Sequence, residues 1–244
     1  EIDGVVAKIN DFSNREQLGK TARHPRWAYA YKFPAKTEIT TIKDMVVQVG
    51  RTGKLTPIAL LDPVDVGGVT ISRASLHNES QAQKLKATKG AKVKIKRAGD
   101  VIPQVKEVVE GEKSDFSMPD NCPVCGSEVV QEGKYHYCSG GVSCSAQLKG
   151  QLQHLASRAA MDIKGLGEEL ADLFVEKEII TEIPDLYKLK PKDLLQLEGF
   201  AEKSANKLIE EIEKSKKTTL SDFIYALGIR HVGKETARLL ARNF

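Results

Sequence analysis

Residues 122–144 read Cys122-Pro-Val-Cys125-Gly-Ser-Glu-Val-Val-Gln-Glu-Gly-Lys-Tyr-His-Tyr-Cys138-Ser-Gly-Gly-Val-Ser-Cys144, and they divide a chain of 244 residues into two differently patterned parts. The four cysteines are the only ones in the chain. Their spacing is C-x2-C, twelve intervening residues, then C-x5-C. Zn²⁺ takes four ligands in a tetrahedron, and a Cys-Pro-Val-Cys-Gly turn offers two thiolates from one knuckle, with Gly126 free to adopt a positive φ. Two disulfides are the alternative, but a chain that opens without a targeting segment is expected inside the cell, where thiols stay reduced, so a metal is favoured. His136 lies between the pairs as a fifth donor. Four thiolates already close the sphere, which makes His136 a spectator and the site structural, with no open position for a substrate.

On the amino-terminal side of the cysteines, residues 37–117 hold short Val/Ile/Thr-rich runs broken by Gly-Arg-Thr-Gly at 50–53, Val-Gly-Gly-Val at 66–69 and Ala-Gly-Asp at 98–100. One helical stretch, Asn78 to Leu85, interrupts them. About five strands with a single helix in such a span predict a small, partly open barrel of the OB type, with an SH3-like barrel as the alternative. Before it, Val5-Val6-Ala7 and Ala28-Tyr29-Ala30-Tyr31 read as two strands, the second stopped by Pro34.

On the carboxy-terminal side, from about residue 150, apolar positions recur at helical spacing, as in Leu148, Leu152, Leu155, Ala156 and Ala159. Three turns there share a form: Ile163-Lys-Gly-Leu-Gly167, Leu197-Glu-Gly-Phe-Ala201 and Leu227-Gly-Ile-Arg-His-Val-Gly233. Each precedes an amphipathic helix, starting near Glu168, Glu202 and Lys234, which predicts an internal repeat of helical hairpins. Such a turn exposes the unpaired N–H groups of the following helix, and glycine lets a phosphate come close. Ala201 stands where glycine is expected, so the second hairpin reads as scaffold. The predicted fold class is therefore multidomain α+β.

Composition sets bounds on these readings. The chain is 41% hydrophobic, ample for packed cores, and no apolar run approaches the ~18 residues of a membrane span, so a soluble protein without membrane association is expected. Net charge is only +4. Residues 84–106 nevertheless carry eight Lys or Arg against Asp100 alone, a stripe that reads either as a nucleic-acid surface or as a lysine-protected strand edge. Residues 151–244 carry 15 basic and 16 acidic side chains, so any contact of theirs with nucleic acid has to rest on backbone donors rather than bulk charge.

The opening residues carry a resemblance. Asp3-Gly-Val-Val-Ala-Lys8, followed by Arg26-Trp-Ala-Tyr-Ala-Tyr-Lys32-Phe-Pro-Ala35, resembles motifs IV and V of covalent nucleotidyltransferases in the form found in bacterial NAD-dependent DNA ligases. The likeness runs on through Gln48-Val-Gly-Arg-Thr-Gly-Lys-Leu-Thr-Pro57, Ser75-Leu-His-Asn78 and Arg97-Ala-Gly-Asp-Val-Ile-Pro-Gln-Val105, then the four cysteines and the hairpins, in the family's domain order. It implies residues 1–36 as the end of an adenylation domain, 37–117 as an OB-fold domain, 118–149 as a zinc finger and 150–244 as a helix-hairpin-helix domain.

The resemblance also implies roles. Lys8 and Lys32 match the family's two adenylate-contacting lysines, Lys32 being expected in the drier strand. Asp3 matches the acidic residue that helps organise Mg²⁺ or Mn²⁺. Arg51, Thr52, Arg97, Val101 and Ile102 match positions that touch DNA near a nick, Gly165, Gly167 and Gly233 sit in the DNA-gripping turns, and Cys122, Cys125, Cys138 and Cys144 match the zinc ligands. NAD is then a consumed adenylyl donor, which agrees with the lack of a Gly-x-Gly-x-x-Gly fingerprint. The family's nucleophile lies in Lys-x-Asp-Gly, and the only Asp-Gly, Asp3-Gly4, has Glu1 in the lysine's place. The expectation is a fragment of a cytoplasmic, monomeric ligase of DNA replication and repair that binds nicked duplex DNA but cannot adenylylate itself. A non-catalytic DNA-binding module of a repair accessory protein is the alternative, distinguished by having no use for Asp3, Lys8 and Lys32.

Overall fold

The computed structural model describes residues 2, 4–21, 24–34, 36–97, 103–111 and 116–244. They form two compact units, residues 1–46 with 57–117 and residues 47–56 with 118–244. Among the described residues no helix is long and apolar enough to cross a membrane.

The first unit opens with a two-stranded antiparallel ribbon, β1 (Gly4–Lys8) against β2 (Ala28–Lys32). Between its strands lies a short helix, α1 (Phe12–Leu18), which the sequence pattern did not announce because it buries no residue. Asp11 caps it by accepting from the N–H groups of Ser13 and Asn14, and Arg15 holds it by stacking over both Phe12 and Trp27 at 4.5 and 4.6 Å.

The barrel follows: β3 (Lys36–Val49), β4 (Lys54–Asp65), β5 (Thr70–Ser75), α2 (Glu79–Leu85), β6 (Lys92–Arg97) and β7 (Gln104–Glu110). Its strands run in the order β3-β6-β7-β5-β4, and a further β3–β4 pairing closes the ring. This is the five-stranded topology of an OB-fold, with the helix between its third and fourth strands and a parallel β5–β7 contact, Ser75 beside Gln104. Ile42, Leu61, Ile71, Leu76, Val93 and Ile95 fill the interior. Asn78 caps α2 by accepting from the Gln81 N–H, and the buried Ala82 turns the helix onto that core. The lysine stripe does not lie on an edge. β6 pairs with β3 on one side and β7 on the other, while Lys92 and Lys94 meet Glu110 and Glu107.

In the second unit, a zinc-ribbon hairpin of β8 (Val129–Glu132) and β9 (Tyr135–Cys138) adds to the start of β4, with Lys54 opposite Tyr137 and Leu55 opposite His136. Helices α3 (Ser145–Ala156), α4 (Glu168–Glu176), α5 (Pro191–Leu194), α6 (Glu202–Ser215), α7 (Leu220–Ala226) and α8 (Lys234–Asn243) follow. Leu148, Leu152, Leu155 and Ala156 form the buried face of α3, as their spacing predicts, and pack with Phe174, Ile180 and Ile212 into one core. The helices after the three turns start at Glu168, Glu202 and Lys234, the positions read from the sequence.

His154 links α3 to α7. Its Nε2–H donates to the Tyr225 carbonyl at 2.8 Å, and burial, with help from the Arg51 charge, holds its pKa below the ordinary histidine value. The unfolded chain therefore takes up a proton as pH falls through about 6.5 while the folded chain resists it. Stability should be fully present above that pH and decline below it. Denaturant melts between pH 7.5 and pH 5 should show the decline, and His154→Gln, which retains a donor, should flatten it.

Candidate metal centre and nucleic-acid interface

The four cysteine sulfurs lie within 4.8 Å of one another, Cys122, Cys138 and Cys144 are buried, and all four thiols are free. Sulfurs around one tetrahedral Zn²⁺ stand about 3.8 Å apart, given a Zn–S bond of about 2.3 Å, so the cluster fits that ion. Gly126 takes φ +73°, closing the knuckle with its N–H on the Cys122 carbonyl. Gly140 lies over the cluster, where a Cβ would stand 2.9 Å from the Cys125 sulfur and 3.3 Å from that of Cys138. Its N–H points at the Cys138 sulfur, and α3 begins directly after Cys144, so backbone dipoles favour thiolates here. Three of the thiols are pulled in opposite directions by their surroundings. The Ser127 hydroxyl lowers Cys125 to about 6, whereas burial raises Cys138 and Cys144. A divalent cation removes that conflict by stabilising every thiolate at once. His136 sits on β9 opposite Leu55 and Gln131, outside the four-sulfur cluster.

Cys138 ties this centre to the turn between β3 and β4. Its N–H donates to the Gly53 carbonyl at 2.8 Å, and its own carbonyl accepts from the Gln147 side chain. Gly53 needs its φ of +77°, and any Cβ there would meet the Cys138 carbonyl at 2.7 Å. One residue pair earlier, Arg51 lies against Gly150 of α3 and donates from Nη1 to the Gly228 carbonyl at 2.9 Å. Arg51 and Thr52 thereby come together with Gly233: all three line a cavity of about 340 Å³ with Tyr137, Arg230 and His231. The sequence reading missed the last three. Arg230 and His231 stand where the other turns have Lys164-Gly165 and Glu198-Gly199, and the histidine in place of glycine is the one local signal that the third turn is built differently.

The hairpins superimpose residue by residue in their bonding. Leu166, Phe200 and Val232 donate to Ile163, Leu197 and Ile229, while fully buried Ala171, Ala205 and Ala237 donate to Gly167, Ala201 and Gly233. Gly165 and Gly199 occupy the left-handed position at φ +93° and +86°, and His231 takes it at +66°. In the second hairpin Ser204 folds back on Ala201, accepting its N–H. Glu168 and Glu169 stand in the first turn of α4, whereas α8 opens with Lys234 behind Arg230 and His231 and has one acid, Glu235, in its first turn.

Gly167 and Gly233 precede their helices with φ of −85° and −89°, values open to any residue, and a Cβ at either would meet nothing within 4 Å. Neither backbone strain nor internal packing calls for glycine there. On the ribbon, Lys32 pairs with Gly4 and Lys8 with Ala28, so both lysines share one face, four residues or about 13 Å apart. Gly4 is required by crowding, since a Cβ would press on the Tyr31 carbonyl. Both lysines are exposed in this chain. Asp3, Val101 and Ile102 lie outside the described residues, as does the Arg97 side chain at the end of β6.

Protein prepared without added metal should contain about one zinc per chain. Chelation should unfold the ribbon, which has little apolar core of its own. Elemental analysis and circular dichroism after chelation check this, and a fully folded zinc-free chain would contradict it.

Comparison with known proteins matches residues 1–36 to the NAD-dependent DNA ligase adenylation domain, 39–117 to the NAD-dependent DNA ligase OB-fold domain and 121–146 to the NAD-dependent DNA ligase C4 zinc finger domain. Residues 157–214 match a SAM-like helix-hairpin-helix tandem and 222–244 a helix-hairpin-helix motif. The whole chain aligns at 52% identity with DNA ligases of Haloferax volcanii and Salinibacter ruber, and at 51% with that of Nitrosococcus oceani. It spans 35%, 36% and 37% of their respective lengths, little more than a third of each. The three ligase-specific domains together take in more than half of the residues, and on that basis the chain belongs to the NAD-dependent DNA ligase family.

Proposed function

We propose that this chain is the DNA-gripping part of a ligase that seals nicks in duplex DNA, acting in the cytoplasm as a monomer. In that reaction a lysine nitrogen attacks the phosphorus of the AMP half of NAD⁺ and releases nicotinamide mononucleotide. AMP passes to the 5′-phosphate of the nick, and the 3′-hydroxyl then displaces it to form the phosphodiester. Lys8 and Lys32 supply fixed positive charge beside the adenylate phosphate, across the small apolar face of Gly4, Val6, Ala28 and Ala30. Asp3 helps to hold Mg²⁺ or Mn²⁺, which offsets charge on the reacting phosphates.

The observation that carries the DNA reading is the open space at Gly167 and Gly233. Glycine that neither φ nor packing requires is explained by an external group approaching the backbone, and the free N–H groups that follow suit a phosphate. Arg51 and Thr52 face the same cavity as Gly233. One Arg51 donor is committed to Gly228, but a guanidinium carries five, leaving others for a phosphate. Arg97, Val101 and Ile102 are assigned to DNA near the nick on the family resemblance.

The chain should bind nicked duplex with little sequence preference and lose affinity steeply with salt. Gly233→Ala and Gly167→Ala should leave the melting temperature nearly unchanged yet weaken binding, Gly233→Ala more, by about tenfold on the scale of a lost charge-assisted contact. Unchanged affinity in both would remove the basis for this reading. In the longer protein, Lys8→Ala or Lys32→Ala should reduce labelling by NAD⁺ on the order of a hundredfold or more, as removal of a charge needed in the transition state does.

A further inference from the structure

Arg230 sits in the middle of the third turn, exposed and basic, where a phosphate ligand would be looked for. Its guanidinium is already engaged. Nη1 and Nη2 form a two-pronged pair with both carboxylate oxygens of Glu132, at 3.1 and 2.7 Å, and the same group lies 4.1 Å over the Tyr137 ring. Each partner's pKa moves away from neutrality through that bond, Glu132 downward and Arg230 upward.

Glu132 and Tyr137 belong to the zinc-ribbon hairpin. Glu132 pairs with Tyr135 and Val130 with Tyr137, so these four side chains share one face of β8–β9. On that face Tyr135 receives the Lys54 ammonium at 3.7 Å and Tyr137 receives Arg230. The opposite face carries Cys138, whose sulfur belongs to the metal cluster. The ribbon thus holds the β3–β4 turn through Lys54 and the Gly53–Cys138 bond, and the third helical turn through Arg230.

The geometry points to a positioning role for the zinc-ribbon hairpin: Glu132 and Tyr137 clamp Arg230 so that the Gly233 turn is presented beside Arg51 and Thr52, and Arg230 itself is not a phosphate ligand. This rests on the DNA reading given above, which places phosphate at that turn. It adds that the ribbon sets the affinity of the grip.

The experiment is binding of the 244-residue chain to a nicked DNA duplex across a salt series, for the parent, Glu132→Gln, Arg230→Lys, Gly233→Ala and the exchange Glu132→Arg with Arg230→Glu. If only bulk charge mattered, Glu132→Gln would tighten binding, because it removes a negative group from the interface. The clamp predicts the reverse, a weakening of about threefold to fivefold, the range expected for a two-pronged exposed pair. Arg230→Lys keeps the charge but loses the fork, and should weaken binding equally, whereas a phosphate-contacting Arg230 would be largely replaced by lysine, which binds phosphate as a point charge. The exchanged pair should recover most of the loss. Equal or tighter binding by Glu132→Gln, or parent-like binding by Arg230→Lys, overturns the clamp while Gly233→Ala still weakens the grip. A parent that does not bind, or a Gly233→Ala variant that binds like the parent, overturns the DNA reading and the clamp with it.

Discussion

One backbone hydrogen bond, from the Cys138 amide to the Gly53 carbonyl, fixes the arrangement on which the second unit depends. It joins a metal-ligand strand to a four-residue turn, and that turn seats Arg51 between Gly150 and Gly228. Glycine at 53, 150 and 228 is a steric condition of the arrangement: a Cβ at any of them would come within 2.7 Å of the Cys138 carbonyl or of Arg51 itself. Close packing of this kind admits few alternative placements, so metal, turn and helical hairpin share one geometry.

The three hairpins illustrate how a repeat diversifies while its bonding stays constant. Buried alanines at 171, 205 and 237 let each second helix pack at the same depth, so the backbone donors emerge at equivalent places. What differs is the side chains around them. Ser204 takes up a donor in the second hairpin, Glu168 and Glu169 surround the first with negative charge, and the third sets Arg230, His231 and Lys234 against a single first-turn acid, Glu235. A phosphate prefers the N-terminus with the fewest acids beside it. The third turn also keeps a histidine in a left-handed conformation that the other two assign to glycine, a local cost borne where a side chain is needed.

Much of this was legible in the sequence because it is local. The cysteine spacing announces its own cluster, Asn78 announces the start of α2, and the three turns announce helices at Glu168, Glu202 and Lys234. The barrel was legible from strand count and turn residues. What escaped was small or remote. α1 buries nothing and therefore has no periodicity, and β8 and β9 span four residues each, too short to alternate convincingly. The lysines of β6 look like an edge until their partners on β7 are known. The Arg51 seat joins positions 177 residues apart, and the Arg230–Glu132 pair joins positions 98 apart. No window along the chain could have shown either.

That long reach has a consequence in time. The second unit is discontinuous, made of residues 47–56 and 118–244, and the first of these segments leaves the ribosome well before its partners exist. The barrel can complete its ring from residues 36–110 while the tip of its first hairpin waits, its Gly53 carbonyl and Arg51 side chain still in water. Cys138 must be made before the tip acquires a strand partner, and Gly228 before Arg51 acquires its seat. Pairings of such separation close slowly because loop entropy is lost before contacts return it. Gly53 therefore gains its partner before Arg51 does, and the third hairpin is the one that locks the earliest turn.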